Sequence, residues 1–341
     1  MFPNIHIIAT GGTIAGKSSE CGYKAGESSI EEILAAVPEL KKIANLDFEQ
    51  FCNIGSQDMD ETIWLSLAKR VNEVLALGMY DGVVITHGTD TMEETAYFLN
   101  LTVHSPKPIV LVGSMRPSDA PDADGPANLL VAVKAAANGE NSGKEVLLCL
   151  GQKIFEASEA FKQDSHALNA LNAVKPDFRM PHGADTGFDI SLVKELPRVG
   201  IVYGYGGAST LPMQAFIDAH YDGIVLAGVG GGNFYGPVQK LAEKAAIEGI
   251  QIVRSTRCPY GGVYTQGGEV NDFKFSFIAA GSLNPQKARI LLMLSLLETR
   301  DTERIRLNFE RGKQLSHENH LKEHEEGGIV KVGKTDKIGY S

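Results

Sequence analysis

Three short stretches of this chain put hydroxyl, amide and carboxylate groups where buried strands are expected to end. They are Gly11-Gly12-Thr13 in ATGGTIAG, Ser56-Gln57-Asp58 in GSQD, and Thr89-Asp90 in HGTDT. Small residues at such exits let backbone N–H groups approach a ligand closely. A threonine on a glycine turn, as Thr13 is, has an accessible hydroxyl and neighbouring amides able to hold an oxyanion, as acyl transfer requires. The plainer reading is that Thr13 closes a turn. Asp90 also has two readings, since aspartate is a favoured helix cap. Two hydroxyl-bearing strand ends converging on one crevice fit acyl transfer, which then needs a base or a fixed charge, because a free threonine hydroxyl is a poor nucleophile. Lys162, in FEASEAFKQD, is the candidate. Near Asp90 and Thr89 a lysine can lose its proton on desolvation or hold a charge in place; taken alone, it reads as a solvated surface residue.

The elements that must position these groups alternate. Strands are expected over Asn4–Ala9, Leu46–Ile54, Gly82–Thr86, Pro108–Gly113 and Glu145–Gly151. Ser29-x-x-Glu32 is a capping box for a helix to about Val37, stopped before Pro38. Asp60 caps a helix with Ile63, Leu67, Val71 and Leu75 on one face. A third helix follows HGTDTMEET to about Leu101, and a fourth has Pro126 in its first turn. This order predicts a mostly parallel sheet covered by helices, with ligands bound at the carboxyl ends of the strands where strand order switches. Residues 17–27 and 165–190 read as loops, and 189–199 as the hinge into a second α/β unit. That unit has strands at Val199–Tyr203, Gly223–Ala227 and Gln251–Ser255. Its helices lie near Leu211–His220, Pro237–Glu248 and, capped by Asn284, Pro285–Thr299. The expected organisation is a catalytic domain over 1–188, a linker over 189–199 and a smaller α/β domain over 200–309. The charged, apolar-poor stretch 310–341 reads as a disordered tail.

Composition narrows the function classes. The 341 residues, 43% hydrophobic and 22% charged, describe about two globular domains. Lysine plus arginine number 32 and aspartate plus glutamate 42, a net charge of −10 that disfavours nucleic acid as a partner. No apolar run reaches the roughly 20 residues of a membrane span. MFPNIHIIATGG lacks a basic n-region and a cleavage site, so a cytoplasmic location is expected, or a periplasmic one had a signal been removed. The four cysteines, Cys21, Cys52, Cys149 and Cys258, have no CxxC spacing and read as free buried thiols.

Taken together, ATGGTIAG, ITHGTDTMEETA, VGSMRPSDAPDADGPANL, the lysine of FKQDS, and LNPQKARILLMLSL resemble the bacterial-type L-asparaginases of the asparaginase/glutaminase group. The resemblance covers about residues 4–309. It implies a larger N-terminal domain with a mostly parallel, flavodoxin-like sheet, a smaller C-terminal α/β domain, and a homotetramer of intimate dimers with shared active sites. It implies L-asparagine as substrate, with L-glutamine a second candidate, and no metal or organic cofactor. Thr13 resembles the family's nucleophile, and Tyr23 the loop tyrosine that closes over the substrate and activates it. Thr89, Asp90 and Lys162 resemble its second Thr–Asp–Lys cluster. Ser56, Gln57 and Asp90 resemble the groups that bind the substrate's α-amino and α-carboxylate ends. Asn233, in GGGNFY, and Glu269, in TQGGEVND, resemble residues that arrive from the neighbouring subunit.

The chain departs from that pattern in places. A β-hairpin segment usual after the lysine stretch is expected to be missing, a Pro–Asp–Asp stretch is replaced by YGYGGAST, and Gly231 stands where the first asparagine of a GNGN would. Ser114 replaces a usual alanine beside the site and is taken as substrate-binding. Leu75 and His104 stand near the paired cysteines of some periplasmic members. Other motifs are discounted. GYGGAS fails the dinucleotide fingerprint at its sixth position. His317, His320 and His324 lie in the charged tail, where no fold fixes a metal geometry. Trp64 reads as core or interface. Two readings compete with an active amidohydrolase: a non-catalytic amino-acid-binding protein of the same fold, and an amidase on another carboxamide. The presence of Thr13, Tyr23, Thr89, Asp90, Lys162 and Glu269 together favours the enzyme.

Overall fold

The computed structural model describes residues 2–19, 22–24, 26–174, 187–265 and 269–310. The chain enters through β1 (Asn4–Gly11), buried along almost its whole length. A two-stranded ribbon, β2 (Lys17–Ser19) and β3 (Gly22–Lys24), follows, then α1 (Ile30–Ala35) and β4 (Asn45–Ile54). Next come α2 (Glu61–Ala76), β5 (Gly82–Thr86), α3 (Met92–Thr102), β6 (Ile109–Val112), α4 (Gly125–Ala136), β7 (Leu147–Leu150) and β8 (Lys153–Glu156). Polar caps start these helices where the sequence marks them. The Ser29 side chain accepts from the Glu32 N–H, and Asp60 accepts from the Ile63 N–H at 2.8 Å.

The strands form one sheet in the order β4-β1-β5-β6-β7-β8, parallel except for the final β7–β8 pair. β1 is followed by β4 on one side and β5 on the other, so strand order reverses around β1. The carboxyl ends of β1, β4 and β5 therefore open the crevice in which open α/β sheets bind ligands. Alternate side chains fill two cores. Ile8, Val83, Ile85 and Leu111 pack with α2 and α3, while Ile5, Ile7, Val84 and Val110 pack with α1 and α4.

The 165–190 region contributes a strand. β9 (Ala160–Lys162), which carries the lysine itself, pairs antiparallel with β10 (Leu171–Ala173) in a short hairpin, so part of the stretch that reads as loop is a strand. Its strands have three residues each, too few to display a periodicity. Residues 175–186 lie outside the described set.

The second sheet, wholly parallel, comprises β11 (Val199–Tyr203), β12 (Gly223–Gly228), β13 (Gln251–Thr256) and β14 (Phe277–Ala279). α5 (Leu211–Asp218) and α6 (Gly236–Ile247) cover one face. α7 (Asp272–Phe275) precedes β14, and α8 (Pro285–Glu298) covers the other face. β14 and α7 are too short to be read from the sequence. α8 is buried all round, including Lys287, Ala288, Ile290 and Leu291, because it lies between this sheet and α3 of the first. One continuous core thus joins the two units. Residues 302–310 are helical, with Ile305 and Phe309 buried, and the expected disordered tail falls outside the described residues from 311 on. Among the described residues no helix is long and apolar enough to cross a membrane. Cys149 is buried, Cys52 is partly buried and Cys258 is exposed, so the expectation of buried thiols fails for Cys258; Cys21 is outside the described set.

Candidate active site

β1 ends on two glycines in backbone conformations that favour glycine, Gly11 at φ 108° and Gly12 at φ 79°. A Cβ built on Gly11 would lie 2.5 Å from the Ile54 carbonyl oxygen, and one on Gly12 would lie 2.3 Å from the Gly88 nitrogen. These contacts set the carboxyl ends of β1, β4 and β5 against one another. Thr13 then opens a single 3₁₀ turn over Thr13–Ala15, 8% exposed, next to the peptide that leads into Thr89. The β2–β3 ribbon follows directly, with Tyr23 opposite Ser18 in its backbone register.

From β4, Ser56 lies buried under the same junction. Its hydroxyl accepts from the Asp90 N–H at 3.2 Å, and its carbonyl accepts from the Thr91 hydroxyl at 2.7 Å. Gln57 is exposed and folds back over Gly55, where a Cβ would meet its carboxamide at 2.4 Å. From the β9–β10 hairpin, the Lys162 Nζ donates to the Thr89 hydroxyl oxygen at 3.0 Å and to Asp90 Oδ1 at 2.5 Å. This ion pair settles the two readings of Asp90 and Lys162. Asp90 makes no side-chain cap here, since α3 begins at Met92 with Thr91 as its N-cap, and Lys162 is 17% exposed rather than solvated. In this arrangement the Lys162 Nζ is a hydrogen-bond donor to both Thr89 and Asp90.

Residues outside the sequence-derived set hold this cluster. Glu93, buried in the first turn of α3, accepts the Lys162 backbone N–H at 2.8 Å. Its other oxygen accepts from the Asn284 side chain at 3.0 Å, and Asn284 caps α8 by accepting the Lys287 N–H at 3.0 Å. Burial raises the Glu93 carboxyl, and the buried Lys287 ammonium opposes that shift. Lys287 donates to the Ser158 and Ala160 carbonyls, at 3.1 and 2.5 Å, and so ties the lysine-bearing strand to α8. His87, fully buried, has a fixed tautomer. The Trp64 indole N–H donates to the Thr95 hydroxyl (2.9 Å), which donates to His87 Nε2 (3.0 Å), leaving Nδ1–H to donate to the Gly88 carbonyl (2.7 Å). Burial pushes its pKa down to about 4, so the ring is neutral at neutral pH. The signal for His87 and Glu93 was present in HGTDTMEET, but a motif shows spacing and not which side chains turn inward. Trp64 stacks on Phe98 and belongs to the core.

Ser114 is fully buried and donates to the Arg116 carbonyl at 2.7 Å. With Ile14, Ser28 and Gly125 it lines a cavity of about 250 Å³. Asn233 and Glu269 belong to the second sheet's loops. Asn233 exchanges backbone hydrogen bonds with Val229, and Glu269 is exposed three residues before the buried Asp272. Among the described residues, neither bonds to Thr89, Asp90 or Lys162. His317, His320 and His324 lie outside the described set.

Fold and site together define a class: a two-sheet α/β protein whose switch-point crevice carries hydroxyls, a carboxylate and a paired lysine. The chain belongs to the asparaginase family. The family model "Asparaginase, N-terminal" matches residues 4–181, and "Glutaminase/Asparaginase C-terminal domain" matches residues 198–309. The chain is 47% identical over 326 residues to L-asparaginase 2 of Escherichia coli, covering 90% of this chain and 93% of that protein. It is 46% identical over 327 residues to the probable periplasmic L-asparaginase of Haemophilus influenzae, covering 91% and 93% respectively. Its structure is similar to the crystal structure of a probable cytoplasmic L-asparaginase from Campylobacter jejuni. The TM-score is 0.85 at 40% identity, over 90% of this chain and 99% of that one. Relatives thus include proteins named for both compartments.

Because the Asp90 carboxylate is 57% exposed, its pair with Lys162 adds little to stability. Lys162→Met is expected to lower kcat by about 10²–10³-fold, the scale of losing one pre-placed donor, with the melting temperature nearly unchanged. A loss of activity matched by a large drop in melting temperature would contradict a catalytic role.

Proposed function

We propose that the chain hydrolyses the side-chain amide of L-asparagine to L-aspartate and ammonia through an acyl-enzyme on Thr13. L-Glutamine, one methylene longer, is the natural second substrate, in keeping with the Glutaminase/Asparaginase description of the C-terminal match. The observation that carries this reading is the Gly12–Gly88 contact, which sets the Thr13 turn beside the Thr89–Asp90–Lys162 cluster.

In this reading the Thr13 hydroxyl oxygen attacks the carboxamide carbon while its proton passes through the Tyr23 phenol toward the leaving nitrogen. The C–N bond breaks and ammonia departs, leaving an ester on Thr13. Water, activated in the same way, adds to the ester carbon, and its C–O bond to Thr13 breaks to release aspartate. The lysine holds the Thr89 hydroxyl oxygen as an acceptor, and the Thr89 O–H donates at 3.5 Å to the Met115 sulfur, a weak acceptor it can exchange for the substrate. Ser56 and Gln57 meet the α-carboxylate, and Asp90 meets the α-ammonium. No step calls for a metal or an organic cofactor.

Asn233 and Glu269 complete the ammonium site from a neighbouring subunit, within a homotetramer of intimate dimers. This assignment is supported by their position on loops of the second sheet, apart in the chain from the strand exits that carry Thr13, Ser56 and Thr89. Closed, isologous dimers would hold two such sites. Ser114, bonded to its own turn, acts on substrate only through the shape of that turn.

Ammonia release should be seen with asparagine and at most weakly with simple carboxamides, and Thr13→Ala should abolish it by several orders of magnitude. Binding without turnover would instead indicate an amino-acid-binding protein, and a preference for other carboxamides another amidase. Mixing inactive Thr13→Ala with inactive Glu269→Ala protein after reversible dissociation should restore activity, because some mixed dimers regain one intact site. No recovery despite proven subunit exchange would mean that each chain builds its own site.

A further inference from the structure

Arg254 and Asp272 form an ion pair at the centre of the second domain, both at 0% exposure. The two are fork-bonded. Nε and Nη2 of Arg254 donate to the two carboxylate oxygens of Asp272, the Nη2 bond measuring 2.7 Å. The remaining donors reach backbone. Nη1 donates to the Gly232 carbonyl at 3.1 Å and the Gly231 carbonyl at 3.4 Å, and Nη2 donates to the Tyr264 carbonyl at 3.4 Å. One guanidinium from β13 therefore grips the turn that ends at Asn233, the chain before Glu269 and the chain after it. The turn is shaped to receive it. Gly232 has φ 83°, and a Cβ there would lie 2.8 Å from a Val263 methyl and 3.1 Å from Arg254 Nη1.

A buried ion pair is weak evidence for stability, since a well-packed apolar pair of similar volume is often as stable. A planar fork with five fixed donors does something an apolar pair cannot: it locks three separate loops in one relative geometry. We infer that Arg254 and Asp272 are positioning residues for substrate recognition, holding Asn233 and Glu269 in register so that they can clamp the substrate ammonium in the neighbouring subunit's site. Neither touches the substrate. This rests on the reading of Glu269 proposed above.

The test measures kcat/KM for L-asparagine and for succinamate, which is asparagine without its ammonium group, and takes the ratio. Three full-length proteins are compared with the parent. Arg254→Lys keeps the charge and loses the fork. Arg254→Met combined with Asp272→Leu removes both charges and leaves none buried unpaired. Glu269→Gln tests the underlying reading. In both Arg254 variants the ratio should fall by about tenfold or more, the scale of a displaced charged partner, through a raised KM for asparagine, while succinamate turnover persists. A parallel loss of both activities, or absence of folded protein in both variants, would overturn the inference, because the pair would then support the whole domain. A reduced ratio in Glu269→Gln with an unchanged ratio in the Arg254 variants would overturn the inference alone. An unchanged ratio in Glu269→Gln would overturn the ammonium reading of Glu269 and the inference with it.

Discussion

The approach of two backbones, at Gly12 and Gly88, is the constraint on which the site depends. With 2.3 Å between a notional Gly12 Cβ and the Gly88 nitrogen, no side chain can stand there, and the residues beyond the two glycines are forced into one crevice. Strand order supplies the opening. Because β1 lies between β4 and β5, the strand order reverses around it, and Thr13, Ser56 and Thr89 follow the carboxyl ends of three adjacent strands. Glycine's conformational cost at Gly11 and Gly12 is offset by the buried strand that precedes them.

The second domain does more than cover the first. α8 is buried over most of its surface because it lies between the second sheet and α3, and its N-terminus reaches the strand that bears Lys162 through Asn284, Glu93 and Lys287. Charges buried this deeply are tolerated because each has partners, and removing one partner leaves the others exposed to the full desolvation cost. Lys162 is thus placed by a hydrogen-bond network that spans both domains.

Much of this is legible in the sequence. Long, regular elements such as α2 and β5 show their period and caps, and the polar strand exits mark the crevice. The ion pair of Lys162 with Asp90 joins residues 72 apart and is visible only once β9 is packed against α3. The three-residue strands β9, β10 and β14 carry no period to read. His87 and Glu93 stood within a quoted motif, but only burial shows that one is a neutral hydrogen-bond link and the other an anchor for the lysine's strand. Arg254 reads as one more charge in a strand until its complete burial is known. Asn233 and Glu269 were reached through family resemblance alone, because nothing in the spacing of the chain ties the second sheet's loops to the strand exits of the first.

In the proposed mechanism Thr13 carries the acyl group, while Thr89, held by Lys162, does not. Rapid quenching of the enzyme during asparagine turnover, followed by proteolysis and mass mapping of the fragments, tests this most directly. An aspartyl ester is expected on the peptide containing Thr13. An ester on the peptide containing Thr89, with the Thr13 peptide unmodified, would contradict it.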